Sequence, residues 1–309
     1  MTSAAATARR RDESPKPRRR YSWRRAVLHG FLIAITLLWL LPLAWALYTS
    51  LRPFEETAVS GYVSLPQTLN FDNFIQAWNQ AELFRFFLNT LVIVVPAVLI
   101  VLFLGSMMAF SVSRYSWKFN LSLLMMFTAL NLLPPQVIIT PLFQMFIRLP
   151  LPENVFIPGF PSDNGLIYDQ YAGMVLIHVA FQLGFVTFVL SNYMKTLPKE
   201  LNEAALVDGA SVWRTYRSII LPLTRPALAA LGTLEFTFIY NDFFWGLMLM
   251  KTGSKFPITS ALNNLKGQFF VDNNLIAAGA ILVALPTLIV FFALQKHFIS
   301  GLTLGSTKG

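Results

Sequence analysis

The chain has 309 residues, of which 55% are hydrophobic and only 13% are charged, with a mean hydropathy of +0.56. A soluble domain carries about 25% charged residues, so this composition excludes an ordinary water-soluble protein and points to an all-α integral membrane protein. There is no cysteine, which excludes disulfides and thiolate metal sites, and His29, His178 and His297 show no ligand spacing, so no metal or cofactor is expected.

Residues 1–25 hold nine Lys or Arg, including Arg9-Arg10-Arg11 and Arg18-Arg19-Arg20, among small and proline residues. Such a segment cannot bury a core and is expected to be disordered. Its charge reads as a topology signal kept in the cytoplasm rather than as a nucleic-acid arm. The apolar run that follows is too long for a cleaved signal peptide, and no small-residue cleavage site follows it.

Runs of about 20 apolar residues predict six transmembrane helices, at about 26–48, 86–110, 119–143, 172–193, 227–250 and 275–295. The first outer loop, 49–85, holds a predicted amphipathic helix from about Asp72 to Glu82, with Phe74, Ala77 and Trp78 on one side, suited to lying flat on a membrane surface. In the third span Asn131 precedes Pro134-Pro135, which should break or kink the helix, a break tolerated only where protein or water covers the freed carbonyls. The second outer loop, 144–171, is irregular, with Pro150, Pro152, Pro158, Pro161, Gly159 and Gly165. His178 and Gln182 lie one turn apart in the fourth span and could share a face, for an interhelical hydrogen bond or a proton relay.

Between the fourth and fifth spans lies a polar stretch, 194–226, that reads as a stiff helix–turn–helix. Pro198 can open a helix at its first position, and Glu200 and Glu203 fall near that helix's positive end. Gly209 can end it in a left-handed turn, and Ser211 can cap a second helix from Val212 to about Ile220. Pro222 and Pro226 then set the entry to the fifth span. There Glu235 and Asp242 stand seven residues apart, nearly two turns, and so share a face with Asn241 adjoining; both pore lining and structural hydrogen bonding fit them.

The basic residues test the topology. With the N-terminus inside, 18 of the 24 Lys and Arg fall in inside segments and six in outside loops, namely Arg52, Arg85, Arg148, Lys251, Lys255 and Lys266. That bias puts both termini and the 194–226 stretch in the cytoplasm of a multi-pass plasma-membrane protein.

Glu203-Ala204-Ala205, Gly209, Ile219 and Leu221-Pro222, at this spacing, resemble the EAA loop of permease subunits of ATP-binding-cassette importers. The resemblance implies a type I importer permease fold, with this loop as a coupling helix docked in a cytoplasmic ATPase. Glu203, Ala204, Ala205, Asp208, Gly209, Leu221 and Pro222 would be the coupling residues, Glu203 reaching an arginine of the ATPase and Gly209 making the bend. The terminus Gly301-Leu302-Thr303-Leu304-Gly305-Ser306-Thr307-Lys308-Gly309 is similar to the tail of one maltose-type permease subunit, which enters the ATPase dimer interface. Asn241-Asp242-Phe243-Phe244-Trp245 is similar to a stretch frequent in carbohydrate permeases. In maltose-type permeases the third outer loop, here 251–274, reaches the sugar-binding protein; Asn263, Asn264, Lys266, Gly267, Gln268 and Phe269 are carried over as that contact.

The resemblance therefore implies a carbohydrate importer built from this chain, a second homologous permease, an ATPase dimer and an extracytoplasmic sugar-binding protein, with no nucleic-acid partner and with lipid around it. The division along the chain is a basic tail (1–25), a first span and outer loop (26–85), a permease core (86–295) and a cytoplasmic tail (296–309). Asn131, His178, Gln182, Glu235, Asn241 and Asp242 are the pathway candidates. No phosphate-binding Gly-x-x-x-x-Gly-Lys-Ser/Thr loop and no hydrolase or metalloprotease motif occurs, so ATP and magnesium would be used by the partner ATPase and the chain itself would not be an enzyme. The alternatives are a stand-alone secondary transporter or channel, which would work without ATP, and a scaffold that moves no solute.

Overall fold

In a computed structural model, residues 23–150, 165–265 and 271–303 are described, with backbone alone at 296–303 and at several helical positions that include Asn131. The basic tail before Trp23, the prolines at 152, 158 and 161, the loop residues 266–270 and the last six residues lie outside them. All described elements are helical apart from one isolated antiparallel bridge, Pro150 to Leu166. The chain divides into two compact units, residues 1–45 and 46–309.

The first unit holds most of α1 (Trp23–Ser50), an apolar helix with Pro42 inside it. The second begins at the end of α1 and continues through α2 (Phe54–Ser60), α3 (Asp72–Gln80), α4 (Leu83–Arg114), α5 (Asn120–Leu132), α6 (Pro135–Phe146) and α7 (Tyr171–Thr196). Then come α8 (Glu200–Val207), α9 (Val212–Thr215), a π-helical turn (Tyr216–Ile220), α10 (Leu221–Leu223), α11 (Arg225–Tyr240), α12 (Phe244–Leu249), α13 (Ile258–Ala261) and α14 (Asn273–Thr303). Among the described residues four helices are long and apolar enough to cross a membrane: Trp23–Ser50, Leu83–Arg114, Tyr171–Thr196 and Asn273–Gln295. A fifth is added if Val212–Leu223 and Arg225–Tyr240, bent by 74°, form one span.

The expected third span is two helices. Leu133 and Pro134 interrupt it, and Pro135 starts α6, where its missing N–H is no loss. The expected fifth span is interrupted as well. Helix α11 stops at Tyr240, where the Asn241 amide donates back to the Thr237 carbonyl at 2.9 Å. The Asp242 carboxylate accepts the Trp245 and Gly246 N–H groups at 3.3 and 3.2 Å, and so opens α12. Asn and Asp compete for backbone groups in this way, which an apolar-run count does not register. Conversely α14 runs past the predicted end at 295 to Thr303, since a polar Lys296-His297 pair ends an apolar run without ending a helix.

Helices α4 and α7 form the central pair, with α11 against α4 and α14, α5 against α7, and α3 against α14. Their contact is close because Gly105 leaves room: a Cβ there would lie 2.6 Å from Val186 Cγ1. Small residues at such crossings let helices approach to backbone distance. One apolar core, toward the start of α4, includes Phe86, Ile93, Met174, Tyr240 and Leu249; another, toward its end, includes Phe110, Val186, Leu190, Tyr216 and Leu231.

The amphipathic helix in the first loop exists, but its inward face differs from the expected one. Asn73 and Ala77 are buried while Trp78 is 46% exposed, because α3 packs on α14.

Candidate functional site

The short helix α8 sits between the end of α7 and α9, at the end of the bundle where α4 finishes. It starts two positions later than its sequence predicts: Asn202 and Glu203 N–H groups bond to the Lys199 carbonyl, so Pro198 stays outside the helix. The start shifts because Lys199, not Leu197, supplies the first acceptor. Glu200 and Glu203 occupy the first turn and are exposed. Ala205 is buried, whereas Ala204, Asp208 and the apolar Leu206 and Val207 face outward, Val207 at 88% exposure.

Its end is a two-bond C-cap. The Gly209 N–H bonds to the Leu206 carbonyl at 3.1 Å and the Ala210 N–H to the Ala205 carbonyl at 2.9 Å. This 5→2 and 6→1 pair needs a left-handed residue, and Gly209 has φ of +72°. Nothing lies within 4 Å of where a Cβ would stand, so only conformation opposes a side chain. Gly209→Val is expected to destabilise the protein by about 1–2 kcal/mol and Gly209→Asn by less, read as melting temperatures of the purified variants.

Ser211 then caps α9, its hydroxyl accepting the Arg214 N–H at 3.3 Å, as its position predicts. The run does not stop near Ile220. It widens into the π turn, with the Leu221 N–H on the Tyr216 carbonyl, and continues through half-buried Leu221 and Pro222 to Leu223. At Thr224 the chain swings into α11, whose first turn holds Pro226.

Side chains that sequence patterns do not single out brace this element. The Arg114 Nη1 donates to the Leu197 and Pro198 carbonyls at 3.3 and 3.4 Å. The hydroxyls of Ser106 and Tyr216 are hydrogen-bonded at 2.7 Å, both residues buried.

The pathway candidates do not all converge. His178 is buried, with Nε2 3.8 Å from Asp242 Oδ2, so these two are brought together; half-buried Gln182 follows one turn along α7. Glu235 and Asp242 do not share a helical face, because the helix ends between them. Glu235 is fully buried and neither carboxylate oxygen has a hydrogen-bond partner among the described residues. Asn241 is exposed, its amide held by α11. For Asn131 only the helical backbone of α5 is described.

At the other end of the bundle, Asn263 is half-buried and Asn264 is exposed, the latter lining a cavity of about 220 Å³ with Gln80, Glu82, Arg85 and Ser254. Lys266, Gly267, Gln268 and Phe269 of that loop, and Gly305, Lys308 and Gly309 of the tail, lie outside the described residues. Gly301, Leu302 and Thr303 are the last turn of α14 rather than a separate tail. The loop's base is tied down by Asp169, a residue with φ of +64°. Its carboxylate accepts the Lys251 and Thr252 N–H groups at 2.8 and 3.0 Å and the Thr252 hydroxyl at 2.5 Å. Burial would raise the Asp169 carboxyl, but these donors outweigh it and hold it below the usual range. Among the described residues no three His, Asp or Glu side chains are grouped to hold a metal ion.

This helical chain, with a glycine-capped short helix following the apolar helix α7, matches a known family over most of its length. The chain belongs to the binding-protein-dependent transport system inner membrane component family, whose model matches residues 101–303. It is 31% identical over 272 residues to a probable ABC transporter permease protein of Pyrococcus horikoshii, covering 87% of this chain and 92% of that one. It is 27% identical over 285 residues to the diacetylchitobiose uptake system permease protein NgcG of Streptomyces coelicolor, covering 92% and 89%. In fold it is similar to a chain of the crystal structure of a bacterial ABC transporter involved in the import of the acidic polysaccharide alginate, with a TM-score of 0.72 at 18% identity, covering 90% of this chain and 98% of that chain.

Proposed function

We propose that this protein is one permease subunit of an ATP-driven importer for a sugar or oligosaccharide, with α8 as the helix that couples it to an ATPase. The observation that carries the reading is α8 itself: a two-turn helix with Glu203 exposed in its first turn, closed by a glycine cap and held between two apolar helices. The sugar class rests on relatives such as the diacetylchitobiose uptake permease and on the tail and fifth-span stretches.

In this reading the broken α5–α6 and α11–α12 segments each make one span. Six helices then cross the membrane, and the basic-residue bias puts both termini and α8 in the cytoplasm. A second homologous permease, two ATPase subunits and an extracytoplasmic binding protein complete the transporter. Nucleotide binding closes the ATPase dimer and carries α8 with it; the helices rock, and the cavity between the permeases opens toward the binding protein. Hydrolysis reverses the motion. ATP and magnesium stay with the ATPase, and this chain carries no catalysis.

Glu203 supplies a charge-assisted bond to the ATPase. Removing one partner of an interfacial charge pair costs about 2–5 kcal/mol, so Glu203→Ala should insert normally while sugar uptake and its coupled ATP hydrolysis fall. Normal uptake in that variant would remove Glu203 from the mechanism. Uptake that survives ATP depletion but collapses with the ion gradient would instead mark a secondary transporter.

A further inference from the structure

Resting on that reading, we propose that the last third of α4 is a two-point clasp that transmits the movement of α8 to the membrane helices, with Arg114 and the Ser106–Tyr216 pair as its positioning residues. Neither point lies in α8, and neither side-chain bond is made to a residue assigned to the ATPase contact. One point holds the chain entering α8. Arg114 is the last residue of α4, and its Nη1 binds the carbonyls of Leu197 and Pro198 at 3.3 and 3.4 Å. Leu197 is the C-cap of α7, so the guanidinium fills acceptors that the helix end leaves open.

The other point holds the chain leaving α8. Tyr216 is 3% exposed, its hydroxyl bonded to Ser106 Oγ at 2.7 Å and its ring packed 5.4 Å from the rings of both Phe110 and Trp213. Ser106, Phe110 and Arg114 follow at four-residue intervals, which places them on one side of α4. The two anchors are separated by about 12 Å of helix. A single tether would let the rod pivot; two tethers along its length turn a displacement of α8 into a rotation of α4. From there Gly105 passes it on, because Val186 of α7 packs directly on the α4 backbone, with no α4 side chain between them.

The clasp also has a place to yield. The π turn begins at Tyr216 itself, and its Leu221 N–H reaches the Tyr216 carbonyl. Pro222 has no N–H with which to restore the α pattern, so the wide turn forfeits no bond there. Single π turns within helices are frequent at functional sites. Arg114 has donors in reserve: among the described residues Nε and Nη2 are buried without a hydrogen-bond partner, as is the Asn202 Oδ1 acceptor in the first turn of α8.

The test uses the whole transporter in liposomes, with its companion permease, ATPase and binding protein. Because this chain has no cysteine, one spin label at Lys251→Cys, exposed on the far end, is unique on it. A second label goes on an outer loop of the companion permease, and pulsed spectroscopy reads the distance with and without ATP and vanadate. The parent should show a nucleotide-driven second distance. In Tyr216→Phe, which keeps the ring, and in Arg114→Gln, ATP hydrolysis should persist while the share of that second distance falls about 3- to 10-fold, the range for loss of one net hydrogen bond. Ser106→Ala should match Tyr216→Phe, and adding it to Tyr216→Phe should do nothing more. An undiminished share in all these variants overturns the clasp and leaves the importer reading standing. A parent that never changes distance with nucleotide overturns the importer reading and the clasp with it.

Discussion

Replacing Arg52 with alanine is expected to destabilise the protein by about 1.5–3 kcal/mol, the range for losing a hydrogen bond to a charged group. Arg52 is fully buried and its guanidinium is used completely. Nε and Nη2 donate to Glu56 Oε1 at 2.9 and 2.6 Å, Nη2 also to Ser64 Oγ at 2.7 Å, and Nη1 to the Gly61 and Tyr62 carbonyls at 3.4 and 3.3 Å. The Tyr48 ring covers one face at 5.1 Å, and the Tyr48 hydroxyl itself bonds to the Ser64 carbonyl. The backbone is held as firmly: the Arg52 carbonyl accepts both the Asn73 and Asn274 amides, at 2.8 and 2.9 Å. Alanine takes the arginine donors from the Glu56 carboxylate, which keeps only Gln67 and Thr68, and from the Gly61 and Tyr62 carbonyls, and it leaves the space of a fully buried side chain. Lysine keeps the charge but offers no planar fork, so Arg52→Lys should recover only part of the loss.

The same knot sets a pH dependence. Burial would push the Glu56 carboxyl up, but Arg52, the Gln67 and Thr68 N–H groups and the Thr68 hydroxyl outweigh it, bringing it from 4.5 down to about 2. A carboxyl lowered on folding contributes stability that is full above its unfolded value and is lost as pH falls through its folded one. The contribution therefore fades from about pH 4.5 to about pH 2. Melting curves of parent and Arg52→Ala should converge across that window; a gap of constant width would show that the pair carries none of it.

What the sequence discloses follows from range. Helices α4, α7 and α14 are legible because each is one long apolar run, and lipid leaves such a run no other structure. The capped turn at Gly209 and Ser211 is legible because its bonds span no more than five residues. The Pro134 break announces itself, whereas the break at Asn241 does not: the apolar run resumes at Phe243, and the only signal is two side chains that bond their own backbone. The Arg52–Glu56 spacing is visible as an i,i+4 pair, but Asn274 joins that knot from more than 200 residues away. Ser106 and Tyr216 lie 110 residues apart, and a serine and a tyrosine in apolar surroundings carry no pattern that predicts their meeting.

Glu235→Leu is expected to make the protein more stable and a poorer transporter. The carboxylate is fully enclosed in α11, and neither oxygen finds a hydrogen-bond donor among the described residues. A buried polar group in that condition costs about 1–3 kcal/mol. Leucine has a similar volume and nothing to satisfy, so it should return about that much as a raised melting temperature. Glutamine keeps an unmatched amide in the same space and should return little. Were the residue there to tie α11 to a neighbour, leucine would lower the melting temperature instead, so the sign of the change decides between a structural bond and another role. On the proposed reading, an ionisable side chain kept at such a cost within a membrane helix serves the pathway or its motion, and stability given up at a working site is commonly recovered when function is removed. Uptake of the sugar carried by the cognate binding protein should accordingly fall at least about ten-fold in Glu235→Leu, or about 1.4 kcal/mol on the barrier, and less in Glu235→Gln. A leucine variant that is both more stable and fully active would leave the carboxylate without a function in transport.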